Sequence, residues 1–229
     1  MRIKNYTIIV ILMFSAIAAF AQTGFDPKSI VVTRWLDTTT SPLTYADYIK
    51  SQDFALRANI KLVSRPSIAT DETIDIFVNE NLYPQIESSL DTFFYDLSRD
   101  GYGINLYTAA NTQSPAAIRQ TLYDDFMAQN IEGAILIGDL AVPWYEMTEP
   151  WDSSHSEFPC DLYYMELNGN WGDSDNDGMF DTHTGPGPYA DIWAGRLYAS
   201  SMHAYGPTRF RYCVTIFIKT ISTAPANCG

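Results

Sequence analysis

The sequence predicts an α/β fold built on a mainly parallel sheet. Three observations predict it: short apolar runs at 74–78, 104–108 and 133–137, helical periodicity between them, and glycines or a proline-marked cap at the joins. A strand–helix–strand–helix–strand order brings parallel strands together through right-handed crossovers.

The elements follow in chain order. Arg2 and Lys4 precede an uncharged, mostly apolar run from Tyr6 to Phe20, closed by Ala19-Phe20-Ala21. This reads as a signal peptide, residues 1–21, cut after Ala21; a membrane anchor needs about 20 apolar residues with flanking charge. The expectation is a secreted or periplasmic protein with no membrane span. Loss of Arg2 and Lys4 leaves 12 basic side chains against 27 acidic ones, a mature net charge of −15. Such a surface repels nucleic acid and attracts divalent cations. Residues 22–70 read as an N-terminal extension, with a β-like Ile30–Thr33 and a helix around Tyr45 to Leu56.

From Asp71 the pattern sharpens into the unit expected over 71–204. Ile74 to Val78 reads as a buried strand, and Leu82, Ile86, Leu90, Phe93 and Leu97 recur at helical spacing. Gly101 and Gly103 break the chain before a second strand, Ile104 to Thr108. Ser114-Pro115 is an N-cap with proline at the first helical position, and Ile118, Leu122 and Phe126 share one face of the helix it starts. Gly133 to Ile137 is the third strand and stops at Gly138-Asp139. Functional groups in such sheets gather beyond the carboxyl ends of the strands. That places Asp139 and Pro143–Glu146 on the working edge, with Asp139 open to two readings: a site group, or a side chain tying down its own turn. Asp161 to Leu167 and Ile192 to Leu197 read as further strands.

Between those two lies the sharpest chemical signal. Asp173, Asp175, Asp177 and Asp181 surround a glycine at the sixth loop position, Gly178. Alternate carboxylates converge only when the backbone curls, which glycine permits, and hard oxygen ligands are what Ca²⁺ requires. The twelfth position is Thr184 rather than glutamate and the flanks read as strands, so the spacing departs from an EF-hand and resembles the D-x-D-x-D-G-x-x-D loops of thrombospondin type 3 repeats. The expectation is a structural calcium site on these four aspartates; an acidic solvated turn is the alternative.

The ordered segments IDIFV with NENLYPQIESSL, GYGINLYT, GAILIGDLAVPWYE, FPCDLYYMELNGNW, DSDNDGMFD and IWAGRLYAS together resemble the gingipain-like cysteine peptidase family over residues 70–203. The resemblance implies a caspase-like, Rossmann-like three-layer α-β-α fold in two subdomains, with the matching region as the first and the fold therefore incomplete. It implies peptide-bond hydrolysis of protein or peptide substrates, by a histidine in a Gly-His-Gly turn and a cysteine on a later strand of the second subdomain. Neither element has a counterpart in this sequence, so no catalytic residue is assigned. Cys160 is near His155 and His183 in sequence, yet it leads into an apolar run where a cysteine reads as a small buried hydrophobe. His183 reads as a surface residue beside the acidic loop, and His203 carries no assignment.

Cys160, Cys213 and Cys228 make an odd count, which leaves at least one thiol unpaired or intermolecular. From Tyr205 to Gly229 no acidic residue occurs, and Arg209, Arg211 and Lys219 make the tail basic. A reading-frame shift near Gly206 is the expectation for this aberrant tail, with a basic terminal strand or a Cys213–Cys228 disulfide as alternatives. The functional expectation is a truncated secreted relative of a cysteine endopeptidase, inactive for lack of the dyad. The alternative is a non-catalytic, calcium-stabilised extracellular binding module.

Overall fold

The computed structural model describes residues 41, 43–51, 60–66, 72–185 and 189–198. The leader, the segment Ile30–Thr33, the end of the helix expected to reach Leu56, His203, Cys213, Cys228 and the tail 205–229 lie outside the described residues. The chain divides into two compact units, and the larger, Leu43–Glu149 with Ser154–Gly229, carries all that follows.

Its centre is a mixed α/β arrangement around a mainly parallel sheet. Strands β1 (Ile60–Ser64), β2 (Glu72–Asn79), β3 (Tyr102–Ala109), β4 (Gly133–Ile137) and β9 (Trp193–Leu197) lie in the order β1-β3-β2-β4-β9. β2, β3, β4 and β9 run parallel, while β1 pairs antiparallel with β3. The register sets Ile76 between Leu106 and Ile135, and Ala134 beside Ala194.

Alternation along the strands decides which helix meets which face. Ile74, Ile76, Val78, Ile135 and Ile137 pack with Ile86, Leu90 and Phe93 of helix α2 (Tyr83–Arg99). Phe77, Tyr107, Ala134 and Leu136 point the other way and pack with Ile118 and Leu122 of α3 (Pro115–Gln129). Each fully buried Ile or Leu here contributes on the order of 1.5–3 kcal/mol. α3 starts as its sequence indicates: the Ser114 side chain accepts a hydrogen bond from the Ala117 amide at 3.3 Å with Pro115 in the first turn, and it ends at left-handed Asn130.

One expected element is corrected. Asp161–Leu167 is not a strand: Leu162–Met165 forms the short helix α4. Tyr163, Tyr164 and Leu167 are buried while Leu162 is exposed, an arrangement that no two-residue repeat produces. Asp161 receives both arms of the Arg196 guanidinium at 2.7 and 2.9 Å, and Arg196 also donates to the carbonyls of Leu140 and Ala141. This fork ties β9 to α4 and to the turn after β4.

The 138–192 excursion holds two small ribbons: β5 (Trp144–Thr148) with β6 (His155–Pro159), and β7 (Asn170–Gly172) with β8 (Thr182–Thr184). A short helix α1 (Tyr45–Ser51) adds Tyr48 to a cluster with Trp144 and Met179. On the α2 face an apolar groove of about 440 Å³ opens beside Phe93, Leu97, Tyr102, Trp193 and Leu197. Among the described residues no helix is long and apolar enough to cross a membrane.

Candidate metal centre

The acidic loop is strung between β7 and β8, so its ends are held a ladder's width apart by the pairing of Gly172 with Thr182. Two residues with positive φ, Asn176 at 62° and Gly178 at 98°, make the curl that brings alternate side chains together. Gly178 meets a second demand, because a Cβ there would overlap the Tyr45 hydroxyl. Asp173 accepts from the amides of Asp177 at 3.2 Å and Gly178 at 3.0 Å, and Asp177 accepts from the Met179 amide at 2.9 Å. Asp181 accepts from both the amide and the hydroxyl of Ser174. The Ser174 hydroxyl bond is the main influence holding Asp181 below the ordinary carboxylate range.

The four aspartates expected to bind calcium therefore lie on one curl, but they divide into two groups. Oxygens of Asp173, Asp175 and Asp177 lie within 4.8 Å of one another, and so do those of Asp175, Asp181 and Glu146. Asp175 belongs to both. Oxygens on opposite sides of a bound Ca²⁺ are about 4.6–5.2 Å apart, twice the usual bond length. Each group therefore spans a distance that one such ion bridges, and the donors are all hard oxygens.

Glu146 is the member that sequence reasoning missed. It reaches the loop because Phe180 forms a parallel bridge with Tyr145: the Phe180 amide donates to the Trp144 carbonyl and the Glu146 amide to the Phe180 carbonyl, both at 2.8 Å. Burial, then the charges of Asp177 and Asp175, raises the Glu146 carboxyl above its usual range, with His155 acting in the opposite direction. A cation bound beside it would reverse the repulsive part of that shift. The placement of Pro143–Glu146 on the working edge was a partial signal for Glu146, but nothing in the spacing joined it to the loop.

The remaining residues singled out in the sequence fall elsewhere. The Asp139 backbone carbonyl accepts from the Asn79 side chain at 2.7 Å and so links the ends of β2 and β4. Cys160 is half-buried, its amide donates to the Pro143 carbonyl, and burial pushes its thiol up. His155 faces Glu146 at 3.4 Å and His183 faces Glu166 at 3.2 Å. No hydrogen bond joins Cys160 to either histidine among the described residues. His183 is not the surface loop residue expected: it sits in β8, half-buried, with its ring 4.2 Å from that of Trp171. Glu166, 3% exposed, also accepts from Trp171 and lies 4.0 Å from Arg119. Gly169 and Gly185 leave room for its carboxylate where a Cβ would overlap it or crowd it.

Fold and site together define a mixed α/β protein with a mainly parallel sheet and an acidic loop on its longest excursion. No known family, curated protein or solved structure gives a significant match to the chain.

Proposed function

We propose that this chain is a secreted, calcium-stabilised α/β relative of the gingipain-like cysteine endopeptidases, a caspase-like first subdomain that does not itself cleave peptide bonds. The observation that carries the reading is the convergence of Asp173, Asp175, Asp177, Asp181 and Glu146 into two oxygen groups sharing Asp175. Carboxylates so close repel one another until a cation neutralises them, and a hard, oxygen-seeking cation is the matching partner. The ion's role is structural: it would fix the 173–181 curl against the β5–β6 ribbon. The family relationship rests on the sequence resemblance and is supported by the parallel order of β2, β3, β4 and β9.

Peptide cleavage by a thiol needs a thiolate with an imidazole beside it. A Cys160 thiol raised by burial is the opposite of an activated nucleophile, and both described histidines are engaged by glutamates. The test is calorimetric titration of the chelator-treated protein with Ca²⁺, alongside a peptide-library digest. The expected result is saturable calcium binding without thiol-dependent cleavage. Absence of binding at 10 mM Ca²⁺, or cleavage abolished by Cys160→Ala, overturns the proposal.

A further inference from the structure

A second group of titratable side chains lies in the core, on the α3 face of the sheet. Asp75 stands in the middle of the central strand β2 with no exposed surface, between Asn105 on β3 and Ala134 on β4. Four polar side chains face it. Asn105, also fully buried, donates through Nδ2 to Asp75 Oδ1 at 2.8 Å. Asp125 reaches in from α3, and Tyr107 and Arg65 come from β3 and from the segment after β1. Ala134 adds no charge from β4.

The hydrogen bonds apportion the charge. Asp125 accepts from the Arg65 guanidinium at 2.7 Å, from Gln129 Nε2 at 3.0 Å and from the Tyr107 hydroxyl, so Arg65 is paired with it. Among the described residues Asp75 forms no ion pair, and the nearby Arg65 is engaged by Asp125. Its Oδ2 and the neighbouring Asn105 Oδ1 are both buried acceptors without a donor. A buried acceptor without a donor is costly, and a buried anion without a partner more so. One proton on Asp75 Oδ2 removes the charge and supplies a donor beside the Asp125 carboxylate.

We propose that Asp75 is kept as a neutral carboxylic acid, and that its single proton is a pH-sensitive latch between β2, β3 and α3 whose loss loosens the α/β unit. Burial foremost, with the Asp125 charge adding to it, pushes the Asp75 carboxyl up to about 8, against the Asn105 hydrogen bond and Arg65. Burial and the Asp125 carboxylate likewise push Tyr107 up, so it remains a donor throughout. The folded chain thus holds a proton that the unfolded chain releases near pH 4. The stability it contributes is complete at low pH and is lost progressively as pH rises towards 8.

The test is urea unfolding of the full chain and of Asp75→Asn at pH 6 and pH 9 in one buffer. Asparagine mimics the protonated acid, accepting from Asn105 and donating towards Asp125. The wild-type midpoint is expected to fall by about 1 M across this range, and that of Asp75→Asn by less than a third as much. Infrared spectroscopy of the wild type gives a readout that needs no variant: a protonated carboxyl band at pH 6.5, well above the range of an ordinary carboxyl, that is unmoved by Ca²⁺ and bleaches by pH 9. A flat wild-type midpoint, a parallel fall in Asp75→Asn, or no such band overturns the proposal; if the variant does not fold, the band alone decides.

Discussion

Replacing Asp175 with asparagine should change stability in opposite directions with and without calcium. Asp175 is the one carboxylate that lies within 4.8 Å of oxygens in both groups, facing Asp173 and Asp177 on one side and Glu146 and Asp181 on the other. Two unit charges at that separation repel by roughly 0.9 kcal/mol in bulk water, and salt reduces this further at an exposed site. In chelator, removing the Asp175 charge should therefore raise the melting temperature by one to a few degrees, taking about 2–4 °C per kcal/mol for a chain of this size. With calcium the sign reverses. A site of about 10⁻⁴–10⁻³ M affinity at 10 mM Ca²⁺ stabilises the wild type by about 1.4–2.7 kcal/mol, or roughly 3–10 °C. Asp175→Asn should lose most of that shift. The assay is differential scanning calorimetry of wild type, Asp175→Asn and the exposed-helix control Asp91→Asn, each with chelator and with 10 mM Ca²⁺. Equal calcium shifts in all three proteins would falsify the shared-ligand assignment.

Other perturbations test the scaffold and the thiol. Leu122→Ala, at a position with no exposed surface between α3 and the sheet, should cost about 2–5 kcal/mol by denaturant titration. Ser114→Ala removes the hydrogen bond to the Ala117 amide and should cost about 1 kcal/mol by the same measurement. In a Cys213→Ser/Cys228→Ser background, alkylation of Cys160 at pH 7 should be slower than that of an unfolded cysteine peptide and should accelerate only in alkaline solution, because burial holds the thiol protonated. A rate at pH 7 matching or exceeding the peptide's would restore Cys160 as a nucleophile.

The parallel core was legible because its signals are local. Three apolar runs and a Ser-Pro cap specify β2, β3, β4 and the start of α3, and each lies where its residues indicate. The strand at 193–197 followed from the same reasoning. The excursion was not legible, because long-range partners decide it. Leu-Tyr-Tyr-Met has the aromatic content of a strand, but Arg196 forks onto Asp161 and the Tyr164 hydroxyl donates to the Ala141 carbonyl at 2.9 Å, which suits a helical turn. The β5–β6 and β7–β8 ribbons were missed because their residues are mostly polar or half-exposed and carry no clear alternation. The aspartates were found from spacing, whereas Glu146 depends on a bridge between Tyr145 and Phe180 that no local pattern encodes. Asp75 was counted among the residues of an apolar strand; its buried, unpartnered Oδ2 in the folded core marks it as unusual.

The route from β4 to β9 also has a kinetic meaning. β2, α2, β3, α3 and β4 follow one another closely, whereas β9 pairs with β4 only after the whole stretch between Ile137 and Trp193 has been threaded. Closure entropy grows only logarithmically, so a crossover of this length costs about 1 kcal/mol more than one of some 15 residues. Nascent chains should therefore assemble the β2–β4 block first and dock β9 late, with the Arg196–Asp161 fork as the last latch to shut.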